Sequence, residues 1–307
     1  MNEAAGLAAR IRAEFAGLAF DKAVLSDEGD DHRVLILDDA WVFRFPRRRE
    51  GEDRPALFRI ELALLARLAD VSPIPVPRYE FISADGGFGG YRKIAGEPMR
   101  PALFAALAPQ ARTSILDRIA QFLRLLHAMP PTAIARAGGE IAREWTGAAF
   151  RDRWIAERRA MVSQFVDAPL LERMDRFYDL LANAGPPPRE VLTHGDLSDD
   201  HMLVSPGRDG LAGIIDFGDA CLGDPAYDLT FFLSYGEAAA LRLADRYDPR
   251  GEDGGLLARA RLSHARFRIE QLRHARALPH ETAQLLAELP ELLDGMLSHH
   301  SGAPATP

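Results

Sequence analysis

One cysteine, Cys221, stands in the 307 residues. A single thiol closes no internal disulfide, so a reducing cytoplasm is the expected home. Long apolar runs are missing as well: no segment approaches the roughly 18 consecutive apolar residues of a membrane helix, and no membrane is expected as a partner. The stretch from Met1 to Phe20 is interrupted by Glu3, Arg10, Arg12 and Glu14, which reads as an amphipathic helix and not as a secretory leader. Positive charge is not in excess. With 37 basic and 45 acidic residues the formal charge is −8, which disfavours nucleic acid, whose binding is driven by phosphate neutralisation. The patterns G-x-G-x-x-G and G-x-x-x-x-G-K-[ST] are absent too, and the loop Glu28-Gly29-Asp30-Asp31 is too acidic for an ordinary phosphate cradle. What is left is a globular composition, 47% apolar and 27% charged. The chain is too long for one core, so two or three subregions are expected.

Residues 23 to 45 read as three strands, Ala23-Val24-Leu25, Arg33 to Leu37 and Trp41 to Phe45, the last two joined by an Asp38-Asp39-Ala40 turn. Leu57, Ile60, Leu64, Leu65 and Leu68 recur at helical spacing, with Glu61 on the same helix. Alternate prolines in Ser72-Pro73-Ile74-Pro75-Val76-Pro77 force an extended segment. Strands flank the Ala84–Gly87 turn, and Phe88 to Ile94 leads to Gly96. Beyond residue 98 helical patterns dominate. Ile115, Ile119, Phe122, Leu123 and Leu126 share a face, and the Arg- and Trp-rich stretch 140–177 reads as one or two surface helices. A second hairpin, Met202–Val204 with Leu211–Ile215, interrupts the helices, which then resume from Asp228 to His299. A strand-rich first third and a helical remainder predict an α+β protein of two lobes: 1–97, a five-stranded antiparallel sheet plus helix, and 98–307, larger and mainly helical.

Three side chains carry the chemistry. Asp196, in Leu192-Thr193-His194-Gly195-Asp196, follows a short strand and can aim a carboxylate at a substrate hydroxyl. His201 lies five residues on, and Asp216 closes the strand Leu211–Ile215 just before Phe217-Gly218-Asp219. This spacing suits phosphoryl transfer from a metal-bound nucleotide, a reaction that asks for positioning and electrostatics more than covalent chemistry. Mg²⁺ prefers oxygen ligands, so Asp216 is its natural holder, while His201 either ligates beside it or bonds a phosphate oxygen or Asp196. In the first lobe, Arg44 on the third strand and Glu61 on the helix form a proposed relay to the nucleotide phosphates, since a guanidinium fork matches phosphate. The alternation of Phe43, Arg44 and Phe45 leaves open whether Arg44 faces a cleft or joins Arg47, Arg48 and Arg49 in solvent. The stretch Lys93-Ile94-Ala95-Gly96-Glu97 is the expected connection between lobes, its backbone available to a purine and the Lys93 ammonium solvated. Asp224 reads as a helix cap and Asp228 as a structural acid.

The segments Phe43-Arg44-Phe45-Pro46, Tyr91 to Pro98, Leu126-His127, His194-Gly195-Asp196, Asp200-His201 and Ile214 to Asp219 fall in an order that resembles the aminoglycoside phosphotransferase family, within the wider protein-kinase-like fold. The likeness spans about residues 20 to 235 and is nearest to the branch acting on aminoglycoside 2″-hydroxyls, with macrolide 2′-phosphotransferases nearby. It implies Asp196 as catalytic base, His201 and Asp216 as the metal pair, and Arg44, Glu61, Lys93, Ile94 and Ile215 at the nucleotide. It also implies Mg²⁺, ATP or GTP as donor, and a monomer acting on a hydroxyl-bearing, cationic small molecule. Asp199, Asp200, Glu237, Asp245, Glu270 and Glu281 are the candidate acids for such an acceptor; a macrolide, a sugar, an amino alcohol or homoserine are the other acceptors considered, and a nucleotide-binding protein without turnover is the alternative of another class. Two departures stand out. Many relatives carry Lys where Arg44 stands, and many carry Asn where His201 stands.

Overall fold

Two aspartates in the left-handed region, Asp38 (φ 49°) and Asp39 (φ 54°), close the first hairpin as a tight turn whose twist matches that of the flanking strands. The Asp38 carboxylate accepts the N–H groups of Asp21 (3.2 Å) and Lys22 (2.7 Å), which pins the turn to the chain entering the sheet. The structure is a computed structural model that describes residues 3–26, 32–47, 54–143, 147–272 and 279–300. The acidic loop 28–31, Arg48, Arg49 and the tail 301–307 lie outside the described residues.

The described chain divides into two compact units, Met1–Ala142 with Val191–Leu222, and Arg143–Glu190 with Gly223–Pro307. The 97/98 position lies inside the first of these. The first unit opens with α1 (Glu3–Glu14) and continues with β1 (Ala23–Ser26), β2 (His32–Leu37), β3 (Trp41–Pro46), α2 (Arg54–Leu68), β4 (Tyr79–Ile82) and β5 (Gly89–Arg92). The strands form one antiparallel sheet in the order β1-β2-β3-β5-β4. Its two faces differ in chemistry, as strand alternation requires. Leu35, Leu37, Phe43 and Phe45 bury one face with Leu7 and Ile11 of α1. The other face carries Val34, Arg44 and Tyr91, because Arg44 pairs across from Val34 and Tyr91 across from Val42.

The unit continues with β6 (Glu97–Pro98), α3 (Pro101–Ala106), α4 (Pro109–His127) and α5 (Pro131–Gly138). After the excursion into the second unit the chain returns with β7 (Val191–Thr193), β8 (Met202–Val204), β9 (Leu211–Ile214) and β10 (Cys221–Gly223). β9 pairs with β8, which pairs with β6; β7 pairs with β10. The proline segment is extended, as expected, and it works as a tether. The Pro75 carbonyl accepts the Ile214 N–H (2.9 Å), and the Pro73 carbonyl accepts Arg118 Nη2 (2.5 Å).

The second unit is helical: α6 (Ala148–Arg153), a π-helical turn over Trp154–Arg158, α7 (Arg159–Val162) and α8 (Ala168–Ala182). A 3-10 run over Pro225–Tyr235 follows, then α9 (Glu237–Tyr247), α10 (Leu256–Gln271) and α11 (Pro279–His300). The stretch 140–177 is not the surface feature its charge suggested. Trp154, 1% exposed, stacks on Tyr178 with centroids 4.6 Å apart, and both join Met174, Phe177, Ile269 and Leu289 in the core. Arg158 is buried there because Glu270 reaches it at 2.5 Å; a charge with a partner can leave water. Asp224 does cap the 3-10 run, accepting the Ala226 N–H (2.9 Å), and Arg259 grips the same carboxylate (2.6 and 3.1 Å).

Phe43 is wholly buried, its ring facing Phe15 (6.0 Å) and Phe81 (5.8 Å) between centroids. Phe43→Ala is expected to lower the unfolding free energy by about 3–5 kcal/mol, read as a lower midpoint in urea titration; an unmoved midpoint removes this ring from the core.

Candidate active site

At the end of β7 the chain turns through Gly195, whose φ of +86° is open to glycine. A Cβ at this position would stand 2.0 Å from the Asp219 carbonyl oxygen, so no other residue fits. The neighbouring His194 is fully buried and ties the turn down. Its Nδ1 accepts the Asp196 N–H (3.3 Å) and its Nε2–H donates to the Ile215 carbonyl (3.1 Å); this pairing assigns the ring its tautomer. The ring also packs on Phe217, 4.5 Å between centroids. Further on, the Ile215 N–H donates to the His201 carbonyl (2.9 Å). Both ends of the loop 194–201 are therefore bonded to the backbone leaving β9.

That stitching gathers Asp196, His201 and Asp216. His201 Nδ1 lies 2.8 Å from the Asp196 carbonyl oxygen and 3.3 Å from its Oδ2, while Nε2 lies 3.7 Å from Asp216 Oδ2. Burial pushes the Asp196 carboxyl up to about 6, against the pull of His201. Burial alone would lower His201, but the Asp196 and Asp216 carboxylates outweigh it and raise the imidazole above its ordinary value. Asp216 behaves oppositely. Burial would raise it, yet Arg44 and His201 hold its carboxyl well below the usual carboxylate range. Its backbone sits at φ 63°, a left-handed conformation that most side chains avoid and that aspartate adopts more readily than most.

Arg44 links this loop to the sheet. It is 3% exposed, on the face opposite Phe43 and Phe45, so its place is the interior and not a solvated basic cluster. Nη1 donates to Glu61 Oε1 (2.9 Å); Nη2 donates to Asp216 Oδ1 (2.6 Å) and to His32 Nδ1 (2.9 Å). Glu61, fully buried on α2, also accepts the Tyr79 hydroxyl (3.2 Å). Burial pushes the Glu61 carboxyl up to about 7 against the pull of Arg44, and burial likewise raises Tyr91 on the same face.

Lys93, Ile94 and Ile215 are the other positions expected at the nucleotide. Lys93 is not brought to the cluster; its ammonium pairs with Asp39 in the β2–β3 turn. Ile94 packs over Gly213, where a Cβ would meet its Cγ2 at 2.9 Å. Ile215 joins through its backbone, as described. Of the acids expected around a cationic acceptor, Asp199 and Asp200 both pair with Arg100, Glu237 with Arg261, and Glu270 with Arg158 and Arg266. Asp245 is exposed on α9, and the Glu281 side chain lies outside the described residues. Two residues of the cluster escaped the sequence reading, His32 and Tyr79; His194 stands in it only as part of the His-Gly-Asp motif, with no role of its own. For His32 a signal existed, because the hairpin register puts it diagonal to Arg44 on one sheet face.

Among the described residues no group of three or more His, Cys, Asp or Glu side chains is placed to hold a metal by itself. A carboxylate kept ionised with an imidazole edge 3.7 Å away fits a hard cation that takes one or two protein ligands and completes its shell with phosphates and water.

Residues 23–262 match the model of the phosphotransferase enzyme family. The fold is shared with solved structures. The GDP and kanamycin complex of APH(2″)-IIia superposes with a TM-score of 0.74 at 24% identity, over 96% of this chain and 99% of that one. The streptomycin–ATP ternary complex of APH(2″)-IIa gives 0.62 at 18% identity, over 95% and 99%. Macrolide 2′-phosphotransferase MphH from Brachybacterium faecium gives 0.61 at 26% identity, over 92% and 96%.

A carboxyl depressed in the folded state stabilises above its unfolded value, near pH 4, and that contribution fades as the pH falls through its folded value. Asp216→Asn is therefore expected to flatten the acid side of the stability curve. Melting temperatures of wild type and variant, taken from pH 6 to pH 2, should converge at the acid end; parallel curves contradict the Arg44–Asp216 pairing.

Proposed function

Because the chain belongs to the phosphotransferase enzyme family, we propose that it is a small-molecule kinase moving the γ-phosphate of ATP or GTP to a hydroxyl of an aminoglycoside-type antibiotic. The observation that carries this reading is the chain of contacts from Asp196 to His201, from His201 to Asp216 and from Asp216 to Arg44, drawn from two loops and the sheet, each link between 2.6 and 3.7 Å. Asp196 accepts a hydrogen bond from the acceptor hydroxyl and orients its oxygen toward the γ-phosphorus. As the new O–P bond forms, the bond to the β-phosphate oxygen breaks, the nucleoside diphosphate leaves, and the hydroxyl proton passes to the Asp196 carboxylate. Arg44, steadied by Glu61, offers N–H donors to the triphosphate. Asp216 and His201 would hold Mg²⁺, which supplies neutralisation of the developing phosphate charge. The Lys93–Glu97 connection, with Ile94 and Ile215, is assigned to the purine. Residues 1–97 then serve the nucleotide and 98–307 the acceptor, in a cytoplasmic monomer.

Kanamycin and streptomycin in the neighbouring structures, and this chain's formal charge of −8, support a cationic acceptor. A second reading, a macrolide or a small hydroxyl metabolite, is favoured by one observation: four of the six candidate acids are already paired with arginines. A transfer assay with ATP and GTP across aminoglycosides, macrolides and hydroxyl metabolites separates them, and turnover of none supports a nucleotide-binding protein.

Asp196→Asn is expected to lower kcat by about 10²–10⁴ while nucleotide affinity holds; equal loss of both would make Asp196 a structural residue. For Asp216→Ala, calorimetry with and without Mg²⁺ should show nucleotide binding that no longer responds to the metal, and an intact response takes Asp216 out of that role.

A further inference from the structure

A guanidinium is a donor only, with five N–H groups on three nitrogens. Burying it requires acceptors for each head of the fork. For Arg44, Glu61 serves Nη1, and Nη2 is shared between Asp216 (2.6 Å) and His32 Nδ1 (2.9 Å). Of these three acceptors, Asp216 is the one that the proposed reaction needs for another task. Glu61 holds the far head and leaves Nη2 unsteadied. His32 is the acceptor that remains.

Its setting suits that role. His32 opens β2, is 7% exposed, and shares its sheet face with Arg44. Because Arg44 donates, Nδ1 must carry the lone pair, so a neutral ring bears its proton on Nε2. The ring stands near Phe58, tilted against it with 6.3 Å between centroids. Its Cε1 faces Gly218, where a Cβ would stand 3.3 Å from Asp216 Oδ1, 3.4 Å from His32 Cε1 and 3.5 Å from Arg44 Nη2. The three side chains therefore meet over one glycine that leaves them room.

We infer that His32 is a positioning residue for Arg44, accepting one N–H of the guanidinium so that the fork stays aimed at the donor's phosphates when Asp216 turns away. The inference rests on the phosphate-binding role given to Arg44 above. It is specific to an arginine, since a lysine has a single terminal nitrogen and no second head to steady.

The test is a double-mutant cycle between His32 and Arg44. His32→Phe keeps the ring's bulk and deletes the acceptor; His32→Asn keeps an acceptor at the Nδ1 position. Calorimetric affinity for ATP and for GTP with Mg²⁺ is expected to weaken about tenfold in His32→Phe, the loss of one hydrogen bond to a charged group, with Asn recovering most of it and kcat moving less than KM. In the Arg44→Lys background the same Phe substitution is expected to change affinity less than about twofold. An equal loss in both backgrounds reduces His32 to a space-filling ring and overturns the inference, as does a His32→Phe protein that binds like wild type. The cycle is also read by melting temperature in the free protein, where additive effects overturn the contact and non-additive ones support it. A wild type that binds neither nucleotide removes the kinase reading, and the melting cycle still decides on His32. Should His32→Phe not fold, His32→Ala in both Arg44 backgrounds gives the same contrast.

Discussion

A charged guanidinium held out of water is the constraint around which the first unit is arranged. Leaving Arg44 buried with fewer acceptors would cost several kcal/mol, so the surrounding elements are chosen to supply them. α2 delivers Glu61, β2 delivers His32, and the segment after β9 delivers Asp216 in a left-handed conformation. Tyr79 then satisfies part of Glu61. Each of these residues comes from a different element, so the position of one charge fixes the placement of a helix, two strands and a loop at once.

The loop bearing Asp196 is held by a second and independent device. His194 spends both ring nitrogens on backbone groups, one on its own loop and one on Ile215. Gly195 permits the close pass by Asp219 that this requires. Asp196 and Asp216 are thus brought together by backbone geometry rather than by attraction, which two carboxylates do not have for each other. His201, which faces both, and Arg44, which pairs with Asp216, supply the compensating charge.

Much of this was legible in the residues. Periodicity foretold β2, β3 and α2, the prolines at 73, 75 and 77 foretold an extended segment, and the spacing of Asp196, His201 and Asp216 foretold their convergence. The Arg44–Glu61 pair followed from placing a cation on the third strand and a carboxylate on the next helix, whereas alternation alone left Arg44 between interior and solvent. Other features were hidden because their cause is long-range. Nothing local marks His32 as an arginine's acceptor; it takes the hairpin register to bring the two onto one face. Charge misled in 140–177, where composition suggests a wet surface and Glu270, about a hundred positions away, lets Arg158 enter the core. The same pairing habit occupied four of the six acids expected to face a cationic acceptor, each of those four with an arginine that composition could not assign to it.

The order in which the two units draw on the chain has a consequence for synthesis. The first unit needs Val191–Leu222 to complete itself, and the second combines Arg143–Glu190 with everything after Gly223. On the ribosome, α6 to α8 emerge before β7 to β10, so they must wait without α10 and α11 while the earlier unit closes around its last strands. The core aromatics Trp154, Phe177 and Tyr178 then remain uncovered until the carboxy-terminal helices arrive. A nascent chain stalled between these points exposes an apolar surface, the kind of intermediate that is prone to aggregate.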